Sequence, residues 1–226
     1  MAIAGFCGIS AVALGWVGIP ALVSRIPAKN DYSYASALEA QSALHAAVDQ
    51  VKDLTVSDGV RSEKLHEISK ICVKFPVLRT QAELVVFKTV LSGGSLYIRG
   101  EALRTLASFR SPRAFTLVEQ SLKSPEPDLV LSAVQGLESF IGSNRDPAAR
   151  TLLARTAAAG RGESSAVAGH ILVKHRDRRI ASAIPSLVRE TAVQEEIQTA
   201  LEAVEKLGLK EFESLVQARL GKAKAQ

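Results

Sequence analysis

Residues 98–106 have the sequence IRGEALRTL, and this stretch decides the fold. Its apolar residues recur every three or four positions, which is the spacing of a helix with one buried face. Ala102 and Leu103 form a small–apolar pair, and Leu106 follows three positions after the pair. The stretch therefore predicts a helix whose small residue lets a neighbouring helix approach closely, while the apolar residues fill the space between them.

The same pattern occurs five times, at successive steps of 31, 31, 36 and 31 residues. The five copies begin at Ile71, Ala102, Ala133, Gly169 and Ala200. A period of this size is typical of a solenoid, in which each repeat is one supersecondary unit. No sustained period-2 alternation is present. The sequence therefore predicts an all-α fold, with His170 buried at the second position of the fourth copy.

Four of these helices are each preceded by a helix of similar length. The predicted pairs are 80–92 with 95–109, 112–124 with 128–141, 146–159 with 164–175, and 181–190 with 193–207. Glycine and proline residues separate the helices, and Ser111-Pro112 and Asp146-Pro147 are typical of helix starts, with a capping residue before proline. An antiparallel pair of this size cannot bury its apolar face alone, so we expect the pairs to stack.

Two stretches resemble repeats of the HEAT and armadillo family. Residues 98–106 resemble the second-helix signature V-R-x-x-A-A-x-x-L, and residues 183–188, AIPSLV, resemble a proline-bearing first helix. The resemblance extends over about residues 60–208. It implies an α-solenoid of about five HEAT-like helical hairpins, which we expect to lie behind an N-terminal hydrophobic helix.

The N-terminal segment 1–24 carries no charged side chain. Its apolar run, 2–23, is long enough to cross a hydrocarbon core of about 30 Å as a helix. We therefore predict a signal peptide or a transmembrane anchor, and a membrane-anchored or exported protein with the periplasmic side favoured. Arg25 and Lys29 follow the run and, by the positive-inside rule, indicate the cytoplasmic face of the membrane as the alternative.

The rest of the chain divides into three predicted parts. Residues 25–59 form a linker and an N-terminal capping helix over 33–54, and residues 60–220 form the repeat domain, ending in a helix over 210–220. Residues 221–226 are predicted to be a frayed basic tail.

Composition and motifs exclude several classes of protein. The 226 residues are 47% hydrophobic and 23% charged, which excludes a disordered chain, and two cysteines exclude a disulfide framework. The chain contains no phosphate-binding loop, nucleophile elbow or zinc-protease motif. The histidines and cysteines lack metal-ligand spacing, and Cys72 occupies a core position. We therefore predict no catalytic, metal or cofactor site.

Charge is unevenly distributed, because residues 145–179 hold eight basic and three acidic residues. We expect a non-enzymatic scaffold that binds another, envelope-associated protein on the concave face of the solenoid. A nucleic-acid-binding or DNA-repair protein with Arg145–Arg179 as its basic patch is the less favoured alternative. A third possibility is a small lyase or chaperone that attaches chromophores to antenna proteins. Candidate partner-binding residues are Arg99, Arg104, Gln135, Glu138, Lys174, Arg176, Arg178 and Arg179.

Overall fold

The computed structural model describes residues 36–92 and 94–224, and every regular element in these ranges is helical. The predicted all-α class is confirmed. The α-helices are α1 (Ala37–Lys52), α2 (Asp58–Lys74), α3 (Arg79–Ser92), α4 (Leu96–Ser108), α5 (Pro112–Ser121), α6 (Pro127–Glu138), α7 (Asp146–Ala158), α8 (Glu163–Lys174), α9 (Ile184–Leu187), α10 (Gln194–Leu207) and α11 (Glu213–Lys224). Short 3-10 helices cover Pro76–Leu78, Arg178–Ala183 and Lys210–Phe212.

The helices pack in consecutive pairs. Helix α1 packs on α2, α3 on α4, α5 on α6, α7 on α8, and the short α9 on α10. The second member of each pair also packs on the second member of the next pair, in the order α2, α4, α6, α8, α10. We call these five the second helices. Their apolar faces meet in a single core that extends from Ala40 in α1 to Val216 in α11.

The second helices run parallel to one another. Between α2 and α4, the hydroxyls of Ser62 and Tyr97 lie 3.0 Å apart near the helix starts, and those of Ser69 and Ser108 lie 2.8 Å apart near the helix ends. Hydrogen bonds between the later second helices also join residues at similar distances from the helix starts. They link Arg104 with Gln135, Glu138 with His175, and Thr199 with Ala166. The loops that follow the second helices therefore lie along one edge of the molecule, which we call the C-terminal edge.

Small residues stand where the second helices come closest. A Cβ atom on Gly169 of α8 would lie only 2.7 Å from Thr199 Cγ2 on α10. A Cβ atom on Gly100 of α4 would lie 2.5 Å from Ser132 Oγ on α6. The predicted role of Gly169, close approach of a neighbouring helix, is therefore confirmed, and the first position of all five sequence copies is buried.

The second position of the copies is less regular. Cys72, Leu103 and Val134 are fully buried, whereas Leu201 is half-buried. The prediction that His170 is a buried core histidine is wrong, because its side chain is 54% exposed. The buried face of α8 includes Gly169 and Val173. His170 comes one residue after Gly169, which places its side chain about 100° around the helix axis from that buried residue.

Two predicted helix starts had different outcomes. Ser111 caps α5 as predicted, since its hydroxyl accepts a hydrogen bond from the Ala114 backbone N–H at 3.0 Å. Asp146 is not the capping residue of α7, because it lies in the first turn of the helix. Its carboxylate accepts from Arg150 Nε, one turn later, at 2.7 Å.

The predicted helix over 181–190 is replaced by the 3-10 helix Arg178–Ala183 and the single-turn α9. Pro185 lacks the backbone N–H that a longer helix would need at this point. The predicted capping helix over 33–54 corresponds to α1, which pairs with α2. Helix α2 begins at Asp58, and α11 continues to Lys224, beyond the predicted end at 220.

The apolar run 2–23, and with it the predicted signal peptide or anchor over 1–24, lies outside the described residues. Among the helices that the structure describes, none combines the length and the hydrophobicity needed to cross a membrane.

Candidate protein-binding face

One side of each second helix is turned away from the core and carries polar side chains. We call this surface the second-helix face. On each second helix the exposed polar residues recur at helical spacing and form a stripe along the side opposite the core. Because the five second helices pack side by side, their polar stripes also lie side by side. The face includes His66, Lys70, Glu101, Arg104, Gln135, Glu138, His170, Lys174 and Glu202, all partly or fully exposed.

Arg104 is the centre of the contact between α4 and α6 on this face. Its Nη1 donates to Gln135 Oε1 at 2.8 Å and to Ser132 Oγ at 3.0 Å, and its Nη2 donates to Glu101. Arg104 and Gln135 were both predicted as partner-binding candidates, and the structure brings them together. A guanidinium held at three points has lost most of its rotamer freedom before any partner arrives.

Glu138 makes the corresponding contact between α6 and α8. Its carboxylate accepts from Lys174 Nζ at 2.7 Å and lies 3.1 Å from His175 Nε2. Partial burial opposes ionisation of Glu138, but the hydrogen bonds and charges of Lys174 and His175 outweigh it and hold the pKa of this carboxyl below its ordinary value. Glu138 and Lys174 are thus a second predicted pair that the structure brings together, and His175 is a participant that the sequence reasoning missed.

The contact between α8 and α10 continues the series. His170 Nδ1 lies 3.5 Å from Glu202 Oε2, and Glu202 also accepts from Lys206 Nζ at 3.2 Å. Polar contacts therefore cross the face from α4 to α10, and we call them the polar ladder. It consists of Glu101, Arg104, Gln135, Glu138, Lys174, His175, His170 and Glu202.

Arg99 was predicted to line the face, but its contacts hold helices together. Its Nε donates to the Val90 carbonyl of α3 at 2.9 Å, and its Nη1 lies 3.6 Å from Glu126 at the start of α6. Arg61 on α2 makes an equivalent contact, which the sequence reasoning missed, because its Nε donates to the Val51 carbonyl of α1 at 3.1 Å. Both arginines satisfy carbonyls at the end of a first helix, where a cation is favoured.

The basic stretch 145–179 is partly neutralised by its own acids. Arg150 lies between Asp146 Oδ1, at 2.7 Å, and Asp177 Oδ2, at 3.0 Å. Arg179 lies 3.3 Å from the same Asp177 oxygen, and the Arg145 guanidinium stacks over the Phe115 ring. The Arg150 contacts tie the start of α7 to the loop after α8. Three of the eight basic residues are occupied in these contacts.

The remaining exposed arginines of this stretch do not form one patch. Helix α7 has 13 residues and is therefore about 20 Å long, so Arg155 and Arg161 lie at the opposite end from Arg145. Arg176 and Arg178 lie in the loop after α8, at the C-terminal edge. The structure brings the candidates Arg176, Arg178 and Arg179 together and separates them from Arg155 and Arg161.

Within the described ranges, no group of three or more His, Cys, Asp or Glu side chains is placed to hold a metal ion. Burial raises the pKa of the Cys72 thiol to about 12 against the opposing charge of Arg79, so the thiol is protonated at neutral pH. Glu196 is fully buried, but its carboxylate accepts from the backbone N–H groups of Val193 and Gly162 and from Arg189. The Glu196 carboxylate therefore caps the starts of α8 and α10 and pairs with the partly buried Arg189. No family model, curated protein or solved structure matches the chain.

Proposed function

We propose that the chain is an α-solenoid of HEAT-like helix pairs and that it acts as a non-enzymatic scaffold or adaptor. In this proposal another protein binds on the second-helix face, which forms the concave side in solenoids of this type. The consecutive pairing of helices and the packing of each second helix on the next support the solenoid. The repeat steps of 31 to 36 residues support it independently.

The polar ladder is the observation that carries the proposed binding role. Arg104 and Glu138 are each held by more than one neighbour on the adjacent helix or their own helix. A partner that contacts such a surface pays little for immobilising these side chains, which is an advantage of a preorganised interface. Lys174 keeps 59% of its side chain exposed while paired, so it remains accessible to a partner.

The proposal includes attachment to, or export across, a membrane through residues 2–23, and hence an envelope-associated partner. The uncharged apolar run 2–23 is the only observation that supports this membrane attachment or export. The separation of the basic stretch into two groups weighs against nucleic-acid binding, because a nucleic-acid backbone is best matched by a continuous basic surface.

The test is site-specific photo-crosslinking in the organism that produces the chain. A photoreactive residue replaces Gln198, which is exposed on α10 beside the ladder, or Thr151, which is exposed on α7 away from the face. We expect a discrete adduct with one protein from position 198 and none from position 151. Lys174→Glu should reduce the yield at position 198 while the chain stays folded, with only a small decrease of the thermal unfolding midpoint from the loss of the ion pair with Glu138. Equal adducts from both positions, or none from position 198, would contradict the proposal.

A further inference from the structure

An open pocket lies at the C-terminal edge, where α2, α4 and α6 end. It is lined by Val73, Arg79, Ser108, Arg110 and Ser139. The lining therefore offers two guanidinium groups and two hydroxyls, and it contains no carboxylate. It is distinct from the polar ladder, in which every arginine or lysine is matched by an acid.

Arg79 is half-buried in this pocket and is fixed by backbone carbonyls. Its Nε donates to the Cys72 carbonyl at 2.9 Å and its Nη1 to the Phe109 carbonyl at 3.2 Å. Carbonyls orient a guanidinium but do not neutralise it. Glu83 lies one turn further along α3 and accepts from Ser111 instead. Arg79 thus keeps an uncompensated charge, since no described carboxylate forms an ion pair with it.

Arg110 has an unusual backbone conformation for a residue with a side chain. Arg110 comes directly after α4 and has a φ of +56°. At the corresponding places after α6 and α10 the chain has glycines with positive φ, Gly142 at +78° and Gly208 at +63°. A residue with a Cβ atom lowers the stability of the fold by about 1 kcal/mol or more when its φ is positive, whereas glycine adopts this conformation without that cost. Arg176 after α8 is the other described exception. Arg110 lines the pocket from this position at the end of α4.

We infer that this pocket binds a phosphate group. Two guanidiniums without a carboxylate match a doubly charged oxyanion, and arginine forms paired hydrogen bonds with phosphate oxygens. Ser139 supplies a hydroxyl donor for a further oxygen, whereas the Ser108 hydroxyl already donates to the Thr105 carbonyl at 2.6 Å. Helix C-terminal carbonyls would repel an anion, but the Arg79 bonds to the Cys72 and Phe109 carbonyls reduce that repulsion at the pocket wall. The phosphate site is independent of the protein-binding face.

The experiment titrates inorganic phosphate against the full chain by calorimetry, with sodium chloride at matched ionic strength as the blank. The decisive variant is Arg110→Gly, which removes the guanidinium and also relieves the positive φ, so folding is preserved. The matched control is Arg113→Gln, which removes one charge from an exposed arginine that stacks on Phe87 outside the pocket. Ser139→Ala tests the lining without changing net charge.

We expect phosphate to bind the wild type and Arg113→Gln with equal affinity, and at least tenfold more weakly to Arg110→Gly. Ser139→Ala should weaken binding by a smaller factor. Absence of phosphate binding to the wild type, or equal weakening by Arg110→Gly and Arg113→Gln, would overturn the site.

A parallel titration with O-phosphoserine identifies the source of the phosphate. Affinity similar to that of inorganic phosphate supports recognition of a phosphoryl group carried on a larger molecule, because the pocket is open. Binding of inorganic phosphate alone supports a site for the free ion. Crosslinking from position 198 reports on the protein-binding face separately.

Discussion

Gly169→Ala tests the packing between α8 and α10 with the addition of a single methyl group. That methyl carbon would lie 2.7 Å from Thr199 Cγ2 and 3.1 Å from Ile180 Cδ1, where carbon atoms need about 3.5–4.0 Å. Thr199 cannot rotate freely, since its hydroxyl donates to the Glu195 carbonyl at 2.8 Å and to the Ala166 carbonyl at 3.3 Å. The substitution therefore forces apart two helices of the core.

The magnitude follows from two opposing effects. Overpacking in a core costs about 1–3 kcal/mol. Alanine gains about 1 kcal/mol over glycine in a helix interior. We expect Gly169→Ala to lower the free energy of unfolding by up to about 2 kcal/mol, measured by urea denaturation at 25 °C. The control is Gly59→Ala on α2, where the added methyl would have no neighbour within 4 Å and stability should stay equal or rise.

A second substitution makes the test specific for this contact. Thr199→Ser removes the Cγ2 atom that the new methyl group would strike and keeps the hydroxyl with its two hydrogen bonds. In the Gly169→Ala background it should therefore recover part of the lost stability, which appears as a favourable coupling energy in a double-mutant cycle. If Gly169→Ala stabilises the chain by the full gain of about 1 kcal/mol expected for alanine in an unhindered helix, or if Thr199→Ser gives no recovery, the two helices do not pack in this register.

Three further predictions concern other parts of the chain. Ala133→Phe should lower the free energy of unfolding by about 1–3 kcal/mol in the same urea assay, since Ala133 is fully buried between helices, and an unchanged value would contradict the stacking of the second helices. Glu138→Gln should cost about 0.3–1 kcal/mol at pH 7. Because the pKa of Glu138 is lowered on folding, this difference between variant and wild type should begin to decline as the pH falls below about 4.5 and disappear below the folded-state pKa; a difference that does not decline on acidification would contradict the pairing. Iodoacetamide at pH 8 should modify Cys72 only after unfolding, as followed by peptide mass mapping, and labelling of the native chain at the rate of a free cysteine would show that the thiol is accessible.

The polar ladder could largely have been predicted from the repeat. Arg104 and Gln135 are 31 residues apart, and Glu138 and Lys174 are 36 apart, so each pair is separated by one repeat step. Equivalent positions on parallel, stacked helices lie side by side, and complementary side chains at these positions therefore meet. The sequence reasoning named all four residues as partner-binding candidates without recognising that they would pair with each other.

Other features depend on geometry that no local pattern contains. The exposure of His170 depends on which side of α8 faces the neighbouring helices. The spacing of apolar residues in the sequence determines that side only to within about one residue. Arg79 reaches the carbonyl of Phe109, thirty residues away, and a long flexible side chain gives no sign of that partner in the sequence. The positive φ of Arg110 is equally hidden, since after α6 and α10 the chain uses glycine at the corresponding place.

The two proposed sites differ in how their charges are compensated, and this difference predicts how each should respond to salt. On the second-helix face, Arg104 and Lys174 already form ion pairs with acidic side chains. A protein that binds there therefore meets charges that are already compensated and gains little net electrostatic attraction. In the pocket at the C-terminal edge, the charge of Arg79 has no such partner, and an anion gains its full attraction. Raising the salt concentration from 50 to 500 mM should therefore weaken phosphate binding strongly and leave crosslinking from position 198, repeated in a cell lysate at the two salt concentrations, nearly unchanged. If phosphate binding is insensitive to salt, the guanidiniums of the pocket do not provide the attraction.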